Sequence, residues 1–482
     1  MFIKTKWSKY IVILLLCIMA FPKNTAFAAE APPEITAQTA ILAEASTGKV
    51  IYQKDMDKKM YPASMTKLLT ALVVLDYFSP EALVTVGTEI DEISWDSSKA
   101  GHIKGETLTV KNLIRGLMIP SGNDSANVLA VAVARKAENN ENLPFEECIS
   151  VFTNLMNEKA NALGATNSHF ANAHGYHDEN HYTTAHDMLL IAQEALKNQT
   201  ILDIAKEKEY AGDGAENSLE DNTTLVTQEY DWTNHNLLLT DNEYQYEYAI
   251  GLKTGFTDEA GDCLTAAAQK DGITLIAIVF DDEDPGRWVD TTALFEYGFN
   301  NYEMVELQKA GDVVTTVGLS EHNRLLGDTL DGIVKEDVQE YILKEDAGKL
   351  EKTVEYRSDL LAESNHPEDT AIKLNAPIAK EEQIGKISYK LNDEVIKEVN
   401  VFAATEVEKS TIGSSIQFFF QNLASNLFSL KGIGMLAGIL IVLVLLIGMI
   451  RAIRGRRSRR RSKYIFKSSR RNRGPRIRRR RR

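Results

Sequence analysis

In residues 38–54, QTAILAEASTGKVIYQK, the apolar positions fall into two short runs around Ser46-Thr47-Gly48, the pattern of two strands joined by a turn. After Ser64 the spacing changes. Leu68, Leu69, Leu72, Val73 and Leu75 form one stripe at helical period, so the segment opening with YPASMTK predicts a helix packed on a core. Residues 105–170 keep a mainly helical texture. From 249 to 280 the chain reads strand, turn, strand, turn, strand, with Lys270-Asp271-Gly272 as the second turn and a good hairpin signal. GRWVDTTALFEYGFNNY then returns to helical spacing. Strands at both ends with helices between predict an α+β domain whose sheet is closed by the two ends of the segment.

Beyond about residue 303 the pattern becomes short alternating strands, as in GDVVTTVGL, DGIVKED, KLEKTVEYR and GKISYKLNDEVIKEVNVFAA, separated by Gly and Asn-Asp turns. This predicts a small all-β domain over 303–404, free of clustered chemistry. A linker follows at 405–431, including a possible amphipathic segment, SIQFFFQNLASNLFSL. Residues 432–450, GIGMLAGILIVLVLLIGMI, carry no charge and are long enough to span a bilayer. The tail 451–482 holds 18 Lys or Arg residues and no acid. Basic flanks stay on the cytoplasmic side, which predicts a single-pass anchor with the preceding domains outside the cell. The first 28 residues match a secretory signal peptide: Lys4, Lys6 and Lys9, an apolar core, then Ala26-Phe27-Ala28 before the cleavage point. No internal repeat is present.

Charge divides at the same boundaries. The formal net charge is −14, although the tail is strongly basic, so the segment between leader and membrane is more acidic than the total suggests. Such a surface disfavours nucleic acid, and beside an apolar span the Arg-rich tail suits topology and anionic-lipid contact better. An anionic substrate must therefore be held by local cations. Cys148 and Cys263 alone remain in the mature segment. That is no disulfide framework, and two unpaired thiols are the preferred reading, although one bridge is possible.

Three short motifs carry the chemistry. Ser64 and Lys67, at i and i+3, share a helix face. A serine helix cap followed by a solvated lysine would look the same. Ser121-Gly122-Asn123 stands at another helix start, and Lys253-Thr254-Gly255 on a strand. Each alone is ordinary; the ordered set Ser-x-x-Lys, Ser-x-Asn, Lys-Thr-Gly is rare.

With these motifs in this order, residues 35–300 resemble the catalytic domain of low-molecular-mass penicillin-binding proteins, the serine-type D-alanyl-D-alanine carboxypeptidases. The β-rich segment is similar to the second domain of that family. HYTTAHDM and ALFEYGFNNY add to the likeness. The resemblance implies a penicillin-binding/β-lactamase-like fold, an antiparallel sheet with helices, and no cofactor. It implies cleavage of the terminal D-Ala from a peptidoglycan stem peptide through an acyl-enzyme on Ser64, with β-lactams acylating the same serine. Lys67 would be the base, since an alcohol needs one and a buried lysine beside a second cation loses its proton readily. Ser121 would relay the proton and Asn123 fix Lys67 and the substrate amide. Lys253 and Thr254 suit the terminal carboxylate, and the family's oxyanion donors correspond to the backbone N–H groups of Ser64 and Phe256, the latter following Gly255. Arg287 either helps to bind the carboxylate or is a solvated arginine at a helix start. The span and long basic tail depart from the family's usual anchor, an amphipathic helix lying on the membrane.

Two rivals share part of the pattern. A serine β-lactamase would normally carry Ser-Asp-Asn, whereas position 122 is Gly, and no loop glutamate stands out. A membrane-held wall-binding protein with an inert site would not need all three motifs intact. His174, His177 and His181 could suggest a metal, but their spacing is poor zinc evidence, and no metal is expected.

Overall fold

The computed structural model describes residues 30–213, 228–362, 371–427, 434 and 437–451. The expected signal peptide lies outside the described residues, as do 432, 433, 435 and 436 of the expected span and all of the tail beyond 451. The described chain falls into two units. The first runs through Gln308 and includes Asp337–Glu351 and Lys390–Lys397; the second holds Lys309–Glu336, Lys352–Tyr389 and the residues from Glu398 on.

The first unit is built on five antiparallel strands in the order β2-β1-β9-β8-β7. They are β1 (Thr39–Glu44), β2 (Val50–Lys54), β7 (Ala249–Thr257), β8 (Gly261–Lys270) and β9 (Ile273–Asp282). The two ends of the segment meet as predicted, with Ala40 opposite Val279 and Leu42 opposite Ala277. The apolar runs of β1 and β9 are continuous because both faces of the sheet are covered. Ile41, Ala43, Ile276, Ile278 and Phe280 pack into one core. Their alternating neighbours Ala40, Leu42, Leu275, Ala277 and Val279 pack into another, with Trp288, Leu294 and Phe295 of α7 (Gly286–Asn301; helices are numbered in chain order). The turn Asp271-Gly272 takes positive φ at both residues, which fits a tight hairpin.

The first core is completed by α1 (Lys67–Tyr77), α2 (Val110–Met118), α3 (Asn123–Ala137), α4 (Phe145–Ala162), α5 (Ala185–Lys197) and α6 (Gln199–Ala205). Two small strand pairs flank them: β3 (Leu83–Thr85) with β4 (Thr107–Thr109), and β5 (Glu209–Gly212) with β6 (Tyr230–Thr233). Thr184 caps α5 by accepting from Asp187 N–H at 3.0 Å. The Asp187 carboxylate does not return the bond; it accepts from Asn167 N–H and Ser168 Oγ instead. Only half of a capping box is made. Cys148 and Cys263 are free and buried, as the composition favoured.

In the first unit β10 (Tyr302–Gln308) pairs with β13 (Val338–Leu343). The second unit is built on the expected β-rich segment, six strands in the order β14-β16-β17-β12-β11-β15. These are β11 (Val313–Ser320), β12 (Thr329–Ile333), β14 (Glu351–Tyr356), β15 (Lys373–Asn375), β16 (Gln383–Leu391) and β17 (Glu394–Ala403). Asn392 and Asp393, both at positive φ, turn β16 into β17. Residues 415–427 of the amphipathic segment lie in α8 (Ile412–Leu427), 428–430 falling outside the described residues, and Ile412, Ile416, Phe419, Phe420 and Leu423 are exposed along one stripe. Residues 437–451 are helical and exposed. Among the described residues, no helix is long and apolar enough to cross a membrane, so the expected transmembrane helix is not seen in the fold.

Phe295 is fully buried between sheet and α7. Phe295→Ala is expected to cost about 3–5 kcal/mol, the range for a lost core aromatic. Chemical denaturation measures it, and wild-type stability would contradict this account of the second core.

Candidate active site

Ser64 sits in a tight 3-10 turn, Ala63–Thr66, that runs directly into α1. Its side chain does not cap the helix, and Lys67 is fully buried rather than solvated, so the cap-and-surface-charge reading of this pair fails. The turn is held by neighbours that tolerate no side chain. A Cβ at Gly255 would lie 2.8 Å from the Pro62 carbonyl, and one at Gly175, where φ is +85°, would overlap the Ala63 carbonyl. Thr66 Oγ1 donates to Ala63 O at 2.8 Å and lies 2.8 Å from His181 Nε2. His181 Nδ1 accepts from Ala171 N–H, so Nε2 is the nitrogen left to carry the proton toward Thr66.

The Lys67 amine has three polar partners: Ser64 Oγ at 2.7 Å, Asn123 Oδ1 at 2.7 Å and His174 O at 3.0 Å. The amide oxygen and the carbonyl can only accept. A neutral amine gives its two N–H groups to them, which leaves its lone pair for the Ser64 hydroxyl. Burial, and next the charge of Lys253, hold this amine well below the usual lysine range; Asp124 acts in the opposite direction. The helix-face spacing of Ser64 and Lys67 thus becomes a 2.7 Å contact between amine and hydroxyl.

Lys253 lies on β7, the edge strand, and is 1% exposed. Burial and then Arg287 pull its amine down to about 7. Its Nζ reaches Thr254 O at 3.1 Å and Thr254 Oγ1 at 3.3 Å. Ser121, at φ +61° and 4% exposed, and Asn123 stand at the start of α3. A cleft of about 970 Å³ gathers Ser64, Ser121, Asn123, Thr254, Gly255, Phe256 and Arg287 on its walls. Lys67 and Lys253 are buried behind that wall. Phe256 is exposed. Arg287 is not a solvated arginine: it pairs with Asp262 at 2.6 Å, stacks over Trp288 and reaches Gly255 O at 3.4 Å.

Several contributors were not visible in the motifs. His174 supplies a backbone carbonyl, and Gly175 beside it was the only available signal, as a candidate for positive φ. His235 lines the cleft on a turn built by Asn234 and Asn236, whose side chains accept from Asn236 N–H and Leu238 N–H. Burial, then Lys253, Lys67 and Arg287, pull its imidazole down to about 4. Asp124 ties the loop at 100–102 to α3. The three histidines weighed as metal ligands have separate tasks. Burial and the Lys67 charge take His174 to about 3, burial takes His181 to about 3, and His177 packs edge-on against Tyr61. Among the described residues, no group of three His, Cys, Asp or Glu side chains could hold a metal ion.

A buried amine aimed at a serine hydroxyl, beside a second cation and under an open cleft, is equipped for acyl transfer. Comparison with known proteins agrees. Residues 25–284 match the family described as D-alanyl-D-alanine carboxypeptidase, and 302–409 match that of the penicillin-binding protein 5 C-terminal domain. The chain is 30% identical over 379 residues to the D-alanyl-D-alanine carboxypeptidase DacF of Bacillus subtilis, covering 78% of this chain and 86% of that protein. It is 28% identical over 398 residues to DacA of Escherichia coli K12, covering 80% and 87%. The structure of penicillin binding protein 5 from Haemophilus influenzae superimposes with a TM-score of 0.63 at 26% identity, over 79% of this chain and 100% of that one. The chain therefore belongs to the D-alanyl-D-alanine carboxypeptidase family of serine peptidases, with a penicillin-binding catalytic domain followed by that family's all-β C-terminal domain.

Proposed function

We propose that this carboxypeptidase removes the terminal D-Ala of peptidoglycan stem pentapeptides through an acyl-enzyme on Ser64, with Lys67 as the base. The observation that carries the reading is the 2.7 Å contact between the fully buried Lys67 Nζ and the half-buried Ser64 Oγ at the cleft wall. The Ser64 proton passes to the amine as Oγ attacks the scissile carbonyl. Ser121 returns that proton to the leaving D-Ala nitrogen, and Asn123 keeps Lys67 and the substrate amide in place. The oxyanion is met by the backbone N–H groups of Ser64 and Phe256. Two facts support this: the first bond of the turn is Met65 N–H to Pro62 O, which leaves Ser64 N–H outside the ladder, and Phe256 lies on the edge strand. One such donor is worth about 2.7–4 kcal/mol of barrier. Lys253, Thr254 and Arg287 hold the terminal carboxylate. Water then releases the acyl-enzyme, and a β-lactam acylates the same serine.

The anchor is inferred from the sequence. An uncharged run at 432–450 before a tail of 18 cations suits a single-pass protein with its catalytic domain outside the cytoplasmic membrane. The exposed apolar stripe of α8 would then lie near the membrane surface.

D-Ala release by the purified ectodomain, from a synthetic pentapeptide, is expected to fall by several orders of magnitude in Ser64→Ala. In Lys67→Ala the expected loss is roughly 10²–10⁴-fold. Full activity in either variant would refute the assignment. Lys253 must be charged to hold a carboxylate, so kcat/KM is expected to decline as pH rises through about 7. Arg287→Gln removes the cation that lowers Lys253; the alkaline limb should move to higher pH while KM rises, and an unmoved or lowered limb would contradict the coupling. Deleting residues 431–482 is expected to give an active enzyme in the soluble fraction. A truncate still sedimenting with membranes would assign the anchoring to α8.

A further inference from the structure

One buried carboxylate beside the reacting groups has no part in the scheme above. Asp124 follows Asn123 in the first turn of α3 and is 2% exposed. Its Oδ1 accepts from the N–H groups of Ala100 at 2.8 Å and Ser125 at 3.0 Å; its Oδ2 accepts from Gly101 at 2.8 Å and His102 at 3.1 Å. Among the described residues no Lys, Arg or His forms an ion pair with it. Four backbone dipoles and the N-terminus of α3 hold the charge in place. The neighbouring contact, Asn123 N–H to Ser98 O at 2.9 Å, extends the same attachment to Ser98, which lines the cleft with Ser97 and Lys99.

The groups around Lys67 make this charge matter. Lys253 on β7, brought down to about 7 by burial and Arg287, is a cation below that pH, His174 and His181 on the loop before α5 are kept neutral by burial, and His235 is a neutral imidazole beside Lys253 and Arg287. On the far side of Asp124, His102 is tied to Glu106, Tyr230 and Ser125. Asp124 directly follows Asn123, whose Oδ1 lies 2.7 Å from Lys67 Nζ, and among the described residues it is the negative charge that bears on that amine. A base in this reaction must release its own proton before the attack and then hold the serine's proton until the leaving nitrogen takes it. Burial and Lys253 serve the first need and work against the second.

We propose that Asp124 is a positioning residue with two tasks: it clamps the loop at 98–102 over the cleft, and it is the counter-charge of the ammonium formed on Lys67 during acylation. The proton leaves Ser64 Oγ for Lys67 Nζ as the Oγ–C bond forms. It departs to the D-Ala nitrogen as the C–N bond breaks, so the ammonium exists only between those two events. Asp124 stabilises that interval without touching substrate. The proposal rests on Lys67 being the base.

The test is the second-order rate of acylation by a fluorescent penicillin as a function of pH, alongside the melting temperature. Asp124→Asn removes the charge and turns an amide N–H₂ toward the Gly101 and His102 N–H groups. Acylation at neutral pH is expected to drop about tenfold to a hundredfold. The acid limb should move to lower pH, because an ammonium without its anionic neighbour deprotonates more easily. Asp124→Glu keeps the charge, so its limb should stay at the wild-type pH although the rate falls. Asp124→Ser, a neutral acceptor for the same N–H groups, replaces the Asn variant should that one not fold, with the same shift expected. A lowered melting temperature with an unmoved acid limb in the neutral variants reduces Asp124 to a structural residue and overturns the proposal; so does a wild-type rate. Full acylation in Lys67→Ala would instead unseat the base itself. An inactive Lys67→Ala with an unmoved limb in the Asp124 variants defeats only the counter-charge.

Discussion

Everything in the catalytic unit depends on keeping one amine dry. In water Lys67 would be an ammonium with nothing to offer a serine. Buried beside Lys253, with its N–H groups taken by Asn123 and the His174 carbonyl, it is left with a lone pair directed at Ser64 Oγ. Desolvation supplies the reactivity and the two acceptors supply the direction. The same burial makes the amine costly to charge, and the titratable groups packed closest to it differ in kind: Lys253 on β7, the neutral imidazoles of His174 and His181 on the loop before α5, and the Asp124 carboxylate behind Asn123.

The fold meets that constraint by bringing two distant segments against one turn. The Ser64 turn touches β7 where Gly255 leaves room, and touches the loop at 172–177 where Gly175 does the same. A close approach of backbone to backbone fixes positions more tightly than side-chain packing, because neither partner has a rotamer to change. The sheet behind is filled from both sides, with α7 on one face and the helical group on the other. Its edge strand is therefore a stable ledge. Such an edge is normally a liability in a sheet; here it borders the cleft and carries Lys253, Thr254 and Phe256 along it.

Among the described residues, all those that line this cleft belong to the first unit. Its strands follow the period-2 pattern, and its last described helix before residue 428 exposes an apolar stripe that a soluble surface does not need. The cleft and the proposed membrane anchor thus lie in separate parts of the chain. The division matches the sequence, where all three chemical motifs precede residue 260 and the apolar and basic runs follow residue 430.

The sequence by itself determined the elements and the reacting groups. Periodicity of 2 or 3.6, together with turn dipeptides such as Asp271-Gly272 and Asn392-Asp393, is local information, and the strands and helices it predicts between residues 38 and 404 are present, whereas the expected transmembrane helix is not seen among the described residues. Ser64, Lys67, Ser121, Asn123 and Lys253 were legible because their motifs stand in a recognisable order, and the structure gathers them at or just behind one cleft wall. What only the tertiary structure decided are contributions with no side-chain signature: the His174 carbonyl on Lys67, the Thr66–His181 brace under the Ser64 turn, the Asn-built turn presenting His235, and the four N–H groups around Asp124. The half-formed cap at Thr184 and Asp187 belongs with them, since Asn167 and Ser168, distant partners, outcompeted the local bond. Proton affinity falls on that side too. The pKa of a lysine depends on how much water it has lost and which charges lie nearby, and neither quantity exists until the chain has folded.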